Sequence, residues 1–237
     1  MGNNPSFPDF FPIIVPGFDL FVNGFPGIGA QMQQINFQKE MEAVMASLEG
    51  RRPRLLLHSC CAPCSSAVLE ILTRTFDTTV YFYNPNILPE EEFEKRLWWQ
   101  RYLLRTAPFA RDVELIVPDR DEAAFRAAAR GLEQEREGGA RCAECFALRL
   151  GRTARAAKEG GFEYFATTLT VSPHKNAPLI NAIGRRLAGE LQVAWLPADF
   201  KKRDGYRRSI ELSHIYGLYR QSWCGCGWPE NDAPESL

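Results

Sequence analysis

Seven cysteines in the chain fall into three groups: Cys60, Cys61 and Cys64 in "LLLHSCCAPCSS", Cys142 and Cys145 in "RCAECFALRL", and Cys224 and Cys226 in "WCGCGW". Thiolates bind soft metals and carry two-electron redox chemistry, so each group can be read either way. The first group directly follows an apolar run and directly precedes a helical pattern. Amides and the positive dipole end of a helix N-terminus lower a thiol's pKa there, which favours the ligating thiolate. Cysteines also serve as small buried hydrophobes, but two adjacent ones with a third three positions on argue for ligands. Cys142 and Cys145 have Cys-x-x-Cys spacing after Gly138-Gly139, which lets the backbone turn tightly before a helix. One such motif is ambiguous among metal, disulfide and chance. Two cysteine groups, each at a helix start, are much less so: Cys60, Cys61, Cys142 and Cys145 make four thiolates, the number that a 4Fe-4S cluster or a structural zinc takes. A bond between Cys224 and Cys226 would close a small strained ring, the easily reduced and catalytic kind of disulfide, while extra metal ligands or surface thiols remain the alternative.

Among other side chains, His174 lies in "TLTVSPHKN" at the end of a predicted strand, where it and Lys175 could present a proton donor and a cation to a substrate. A lone histidine is more often structural, and His58 and His214 are read that way. The stretch "DFKKRDGYRRS" carries Lys201, Lys202, Arg203, Arg207 and Arg208 around Tyr206. Such runs are usually a solvated surface, but this one follows a strand's carboxyl end, where phosphate contacts would be useful.

These residues need a scaffold that brings remote stretches together. Residues 1 to 35 mix Pro, Gly, Asn and Phe without periodicity and read as an irregular extension; residues 36 to 237 read as a single α/β catalytic domain with a short frayed tail. Within it, helices at about 36–49, 64–75, 88–104, 121–135, 142–160, 177–191 and 207–222 alternate with strands at 54–58, 78–86, 113–119, 162–170 and 193–200, with Ser65 or Ser66 able to cap the second helix. The alternation predicts a Rossmann-like three-layer α/β fold with a mostly parallel sheet and ligands at the carboxyl ends of its strands. Composition is 45% hydrophobic and 24% charged with a net charge of -1, so a basic surface can only be local and no membrane span is expected. Clustered cysteines without a secretory leader point to a reducing cytoplasm.

The motifs "LLLHSCCAPCSS", "CAECFALRL", "TTLTVSPHKN", "DFKKRDGYRRS" and "YGLYRQSWCGC" occur in that order, and over residues 36 to 226 they closely resemble the QueH family of epoxyqueuosine reductases. The resemblance implies a cobalamin-independent oxidoreductase that reduces epoxyqueuosine to queuosine at the tRNA wobble position, using an electron donor that it does not identify. It also implies that Cys60, Cys61, Cys142 and Cys145 hold a 4Fe-4S cluster and that Cys224 and Cys226 form a redox-active pair. An additional iron is compatible with the family, with Cys64 or Asp199 able to serve it. The layout looks like the nucleotide-binding folds of PP-loop enzymes, with cysteines where their loop would cradle phosphate. Two rival readings are a thioredoxin-like disulfide oxidoreductase built on Cys61-Ala-Pro-Cys64, which leaves three cysteines unexplained, and a zinc-stabilised tRNA-binding module. Colour separates the latter, since an iron-sulfur protein is brown and a zinc site colourless.

Overall fold

The computed structural model describes residues 35–227. The irregular extension expected over 1–35 lies outside them except for its last residue, as does most of the expected tail. Chain order is α1 (Phe37–Ser47), β1 (Arg54–His58), α2 (Ala62–Leu72), β2 (Asp77–Tyr81), α3 (Glu90–Thr106), β3 (Glu114–Ile116), α4 (Glu122–Ala128), α5 (Ala140–Glu159), β4 (Tyr164–Thr167), α6 (Ala177–Leu191), β5 (Ala194–Trp195) and α7 (Gly205–Ile215). The five strands form one all-parallel sheet in the order β3-β2-β1-β4-β5. This is the Rossmann-like α/β fold that the alternation predicts.

The central strand reads "RLLLH", and Leu55, Leu56 and Leu57 are all fully buried. Continuous apolar sequence is what a parallel strand needs when helices cover both faces of the sheet. On one face Leu55 and Leu57 pack with Val68, Leu69 and Leu72 of α2; on the other Leu56 packs with Leu150 and Ala154 of α5 and Ile180 of α6. Strand order reverses between β1 and β4, which opens a crevice at their carboxyl ends.

Two of the expected helices are shorter than their patterns suggest. Residues 121–135 hold only α4, because the chain turns after Ala128 and Gly131 takes a positive φ of 80°. The last helix stops at Ile215 instead of running to 222, since Gly217 adopts φ 61° and turns residues 218–227 back toward the sheet edge. The second helix starts at Ala62 with Cys61 as its N-cap, so Ser65 and Ser66 lie inside it and cap nothing. Ser65 instead donates to Gln100, and Ser66 to the Pro63 carbonyl.

Gly205 starts α7 where a Cβ would stand 1.8 Å from the Phe200 carbonyl oxygen. Backbone cannot yield as a side-chain tip can, so Gly205→Ala is expected to cost about 3 kcal/mol by overpacking. Thermal unfolding should then show a midpoint lower by roughly 6–12 °C, and an unchanged midpoint would show that the turn relaxes freely.

Candidate active site

The sulfurs gather at the crevice between β1 and β4. Cys60 and Cys61 follow β1 by two and three residues, and the Cys60 amide donates to Thr168 Oγ1 just past β4, at 3.4 Å. Cys61 caps α2 in an extended conformation, and Cys64 lies in the helix's first turn. The three Sγ atoms lie within 4.8 Å of one another, with Cys60 and Cys61 at 3.8 Å. Cys60 and Cys61 are buried and Cys64 half-buried.

A cavity of about 250 Å³ opens beside this group, lined by Cys60, Cys64, Cys142, Cys145, Cys224 and Cys226. Six of the seven cysteines, drawn from all three sequence groups, therefore share one space. Cys61 is only 1% exposed, sits beneath the others and is not part of the lining. Cys142 and Cys145 come from the first turns of α5, where the Gly138 amide donates to Cys142 Sγ at 3.2 Å. Cys145 packs with Cys226, Phe125 and Ala129. Cys224 and Cys226 are not joined by a disulfide and have Sγ atoms 3.3 Å apart, straddling Gly225 at φ 105°.

Arg96 of α3 fixes that Cys-Gly-Cys turn. Its guanidinium donates to the carbonyls of Cys224 at 3.0 Å and Trp223 at 3.3 Å, while its Nε is paired with Glu92 at 2.6 Å. The Gly225 carbonyl in turn accepts from the Leu88 amide at 2.7 Å.

Charge around the cavity is one-sided. Arg96, Arg141, Arg149, Lys175 and Arg220 line it against a single carboxylate, Glu137. Arg149, on α5 one turn after Cys145, is 3% exposed and has no carboxylate partner among the described residues. It donates to Asn84 Oδ1 at 2.6 Å, to His58 Nε2 at 3.2 Å and to Cys145 Sγ at 3.8 Å. Burial and Arg149 together hold the His58 imidazole neutral, with a pKa lowered to about 3. Hydrogen bonds from Cys61 and Cys64 lower the Cys60 thiol well below its ordinary value, aided by the Lys175 and Arg149 charges, and correspondingly the Cys61 and Cys64 thiols are pushed up. Burial raises the thiols of Cys142 and Cys145. A hydrogen bond with Cys226 raises Cys224 most, with burial adding to it. Burial works against the Lys175 charge, yet the Cys60 and Cys64 sulfurs outweigh it and hold the ammonium above its ordinary value.

Isolated buried cations are costly unless a counter-charge compensates them. Arg96 is already paired with Glu92; for Arg149 and Lys175, whose neighbours include the Cys145, Cys60 and Cys64 sulfurs, sulfur is the compensating charge at hand. Two buried acceptors that line the cavity, Asn86 Oδ1 and Gln221 Oε1, have no hydrogen-bond partner.

The other expected residues divide. His174 lines the mouth of the cavity and is exposed, with its amide bonded to Ser172 Oγ. Asp199 is held by Lys201 at 2.7 Å and is not part of the lining. Tyr206 lines the mouth, so the 201–208 segment does reach the rim, but most of its cations are already paired. Arg203 makes a two-pronged pair with Glu42 at 3.1 Å, Arg208 does the same with Glu70 at 2.6 and 2.8 Å, and Arg207 lies 3.4 Å from Glu211. Lys202 has no ion pair among the described residues. Arg96 and Arg149 were not visible as site residues in the sequence; the usable signal for Arg149 was its position, four residues after Cys145 on the same helix face.

A parallel Rossmann-like sheet whose switch point opens on a cation-lined pocket of thiols is an α/β scaffold with a donor set that could hold a metal. Residues 55–232 match the family model described as epoxyqueuosine reductase QueH. The epoxyqueuosine reductase QueH of Streptococcus pyogenes serotype M1 is 43% identical over 198 residues, covering 82% of this chain and 78% of its own. That of Staphylococcus epidermidis is 42% identical over 200 residues (82% and 84%), and that of Thermotoga maritima 36% over 177 (73% and 88%). The chain belongs to the QueH family. No helix among the described residues is long and apolar enough to cross a membrane.

Proposed function

We propose that the cavity is the reducing site of an epoxyqueuosine reductase that holds an iron-sulfur cluster on its thiols and acts on tRNA. Membership of a family whose members are named for this activity supports the reaction. One observation supports the cofactor: three separate cysteine stretches meet in a single electropositive pocket. The donor set fits, because four thiolates plus a cluster carry net negative charge, which the Arg149 and Lys175 cations would balance. Cys60 and Cys61 with Cys142 and Cys145 are the proposed ligands. Cys64, on the cavity side of the trio, is the sulfur left over for a further metal. Asp199, already neutralised by Lys201, is left out of the ligand set.

Converting an epoxide to an alkene takes two electrons and two protons and releases the oxygen as water. Bound on the proposed ligands, a low-potential cluster would relay electrons one at a time at a potential tuned by hydrogen bonds to its sulfurs. The chain's own groups do the rest. Cys224 and Cys226 as two thiols hold one reducing pair: closing the disulfide between them yields two electrons and two protons, which balances the deoxygenation of one epoxide. An external reductant then has to reopen that bond. Arg96 keeps the two sulfurs facing the cavity through the Cys224 and Trp223 carbonyls. His174 at the mouth is the proposed relay that passes one of those two protons to the departing oxygen. Asn86 and Gln221 offer acceptors to donor groups of the bound nucleoside.

The wobble nucleoside must leave its loop to enter, as bases do when proteins read single-stranded RNA. Lys201, Lys202, Arg203, Arg207 and Arg208 remain proposed phosphate contacts; of their segment only Tyr206 lines the cavity, and Arg208 lines a separate groove with Glu70 and Arg74. Exposed ion pairs are worth little, so a phosphate can displace their carboxylates. The paired ones give up a partner to do so, which limits their net contribution. Mass spectrometry of nucleosides from epoxyqueuosine-containing tRNA, incubated anaerobically with reconstituted protein and dithionite, tests the reaction. Queuosine should accumulate; unchanged epoxyqueuosine alongside full iron content would defeat the proposal.

A further inference from the structure

We propose that the exposed face of α3 between Lys95 and Arg105 is an RNA-binding surface, holding the nucleotides that flank the one inserted in the cavity. This rests on the tRNA reading above and adds the path of the strand. Trp98 is 50% exposed, one of three large hydrophobic side chains that the described residues leave open to solvent. Its ring is stacked on Tyr102, with centroids 5.5 Å apart and planes at 10°, and stands edge-on to Trp99 at 4.8 Å. Trp99 and Tyr102 are themselves packed against the core under α2. Trp98 is therefore a flat surface set in place before any ligand arrives.

Cations flank it at helical spacing. Lys95 precedes Trp98 by one turn, Arg101 follows it by one and Arg105 by two, and all three are exposed. None has an ion pair among the described residues. In this they differ from the 201–208 segment, where four of five cations are taken by Asp199, Glu42, Glu70 and Glu211. Acidic residues of α3 sit in its first turns, at Glu90, Glu91, Glu92 and Glu94, so the positive stretch begins at Lys95. Exposed cations alternating with an ordered aromatic ring are what successive phosphates and bases recognise, by charge and by stacking.

The stretch is also continuous with the cavity. Lys95 lies 3.6 Å above the Tyr219 ring, Tyr219 adjoins the lining residue Arg220, and Arg96 is itself in the lining. Because α3 leaves the carboxyl edge of β2, the face runs from the rim down the flank of the domain. Lys95 to Arg105 spans about 15 Å at 1.5 Å per residue.

The test uses the full chain, anaerobically reconstituted, and tRNA bearing epoxyqueuosine at the wobble position. Affinity is measured across a salt series for wild type, Trp98→Ala, Trp98→Phe and the double variant Arg101→Gln/Arg105→Gln. Trp98→Ala should weaken binding about 10-fold, and Trp98→Phe should recover most of that. The double variant should lower the salt slope by roughly 1.4, at about 0.7 for each lost single-strand phosphate contact. The defect should also appear in kcat/KM for tRNA, with circular dichroism and iron content at wild-type levels. Unchanged affinity and slope would overturn the proposal. So would variants that bind tRNA normally but fail only with a protein reductant and recover with dithionite, since the face would then dock an electron-donor protein. A wild type that does not bind this tRNA at all would overturn the substrate reading itself, a result distinct from any variant effect.

Discussion

Chain carrying Cys142→Ala, reconstituted without oxygen, is expected to fold, to bind far less iron and to lose queuosine formation completely. The reason is geometric. Cys142 is half-buried on α5, faces the same cavity as Cys60 and is already oriented by the Gly138 amide, so its loss removes one of four proposed ligands without opening the core. Circular dichroism checks the fold, iron analysis and electron paramagnetic resonance check the cofactor, and nucleoside mass spectrometry checks turnover. Cys61→Ala should behave in the same way, whereas Cys64→Ala should keep the cluster absorption. The Cys61 and Cys64 comparison is the sharper one, because the cavity is lined by Cys64 and not by Cys61. A cluster that survives Cys61→Ala and is lost in Cys64→Ala would exchange the roles of those two sulfurs; full absorption with full turnover in Cys142→Ala would end the ligand assignment altogether.

Arg149→Leu should lower iron affinity by roughly 10- to 100-fold, the usual effect of removing a residue that supports metal ligands from behind. Arg149 is a buried cation 3.8 Å from Cys145 Sγ and also ties α5 to the loop after β2 through Asn84. A positive charge and N–H donors near cluster sulfurs favour the reduced, more anionic state, so the midpoint potential should move to more negative values in the variant. Chelator competition reads the affinity, and potentiometry followed by electron paramagnetic resonance reads the potential. Arg149→Lys keeps the charge but not the fork that reaches Asn84 and His58 together, and should fall between the two. Wild-type affinity and potential in Arg149→Leu would mean that this guanidinium only packs the interior.

The architecture was legible because the sheet is built from continuous apolar runs separated by amphipathic helices, and local sequence is enough to specify those. Two of the three sulfur groups were legible for a related reason: Cys60, Cys61 and Cys64, and Cys142 and Cys145, sit at the starts of helices, a place visible in the pattern, whereas Cys224 and Cys226 lie in a turn beyond the last helix and were legible only by their spacing. Helix ends were less so. The pattern of residues 207–222 gives no warning that Gly217 turns left-handed and stops α7 at Ile215. Long-range pairing was invisible. Nothing in "KKRDGYRRS" indicates that Glu42, 161 residues from Arg203, and Glu70, 138 residues from Arg208, neutralise those two arginines. Arg149 escaped notice because a charged residue on an amphipathic helix ordinarily faces water. What turns it inward is a histidine at the end of one strand and an asparagine in the loop after another, and no periodicity encodes that.

The thiols that share the cavity span the chain from residue 60 to residue 226. Contacts so distant in sequence form late, after loop closure has been met by the rest of the fold. The sheet can close around β1 before the Cys224–Cys226 turn has docked on Arg96. That leaves an interval in maturation when the Cys60 trio already stands at an open crevice. Were metal loaded in that interval, docking of the turn would then seal the chamber behind it.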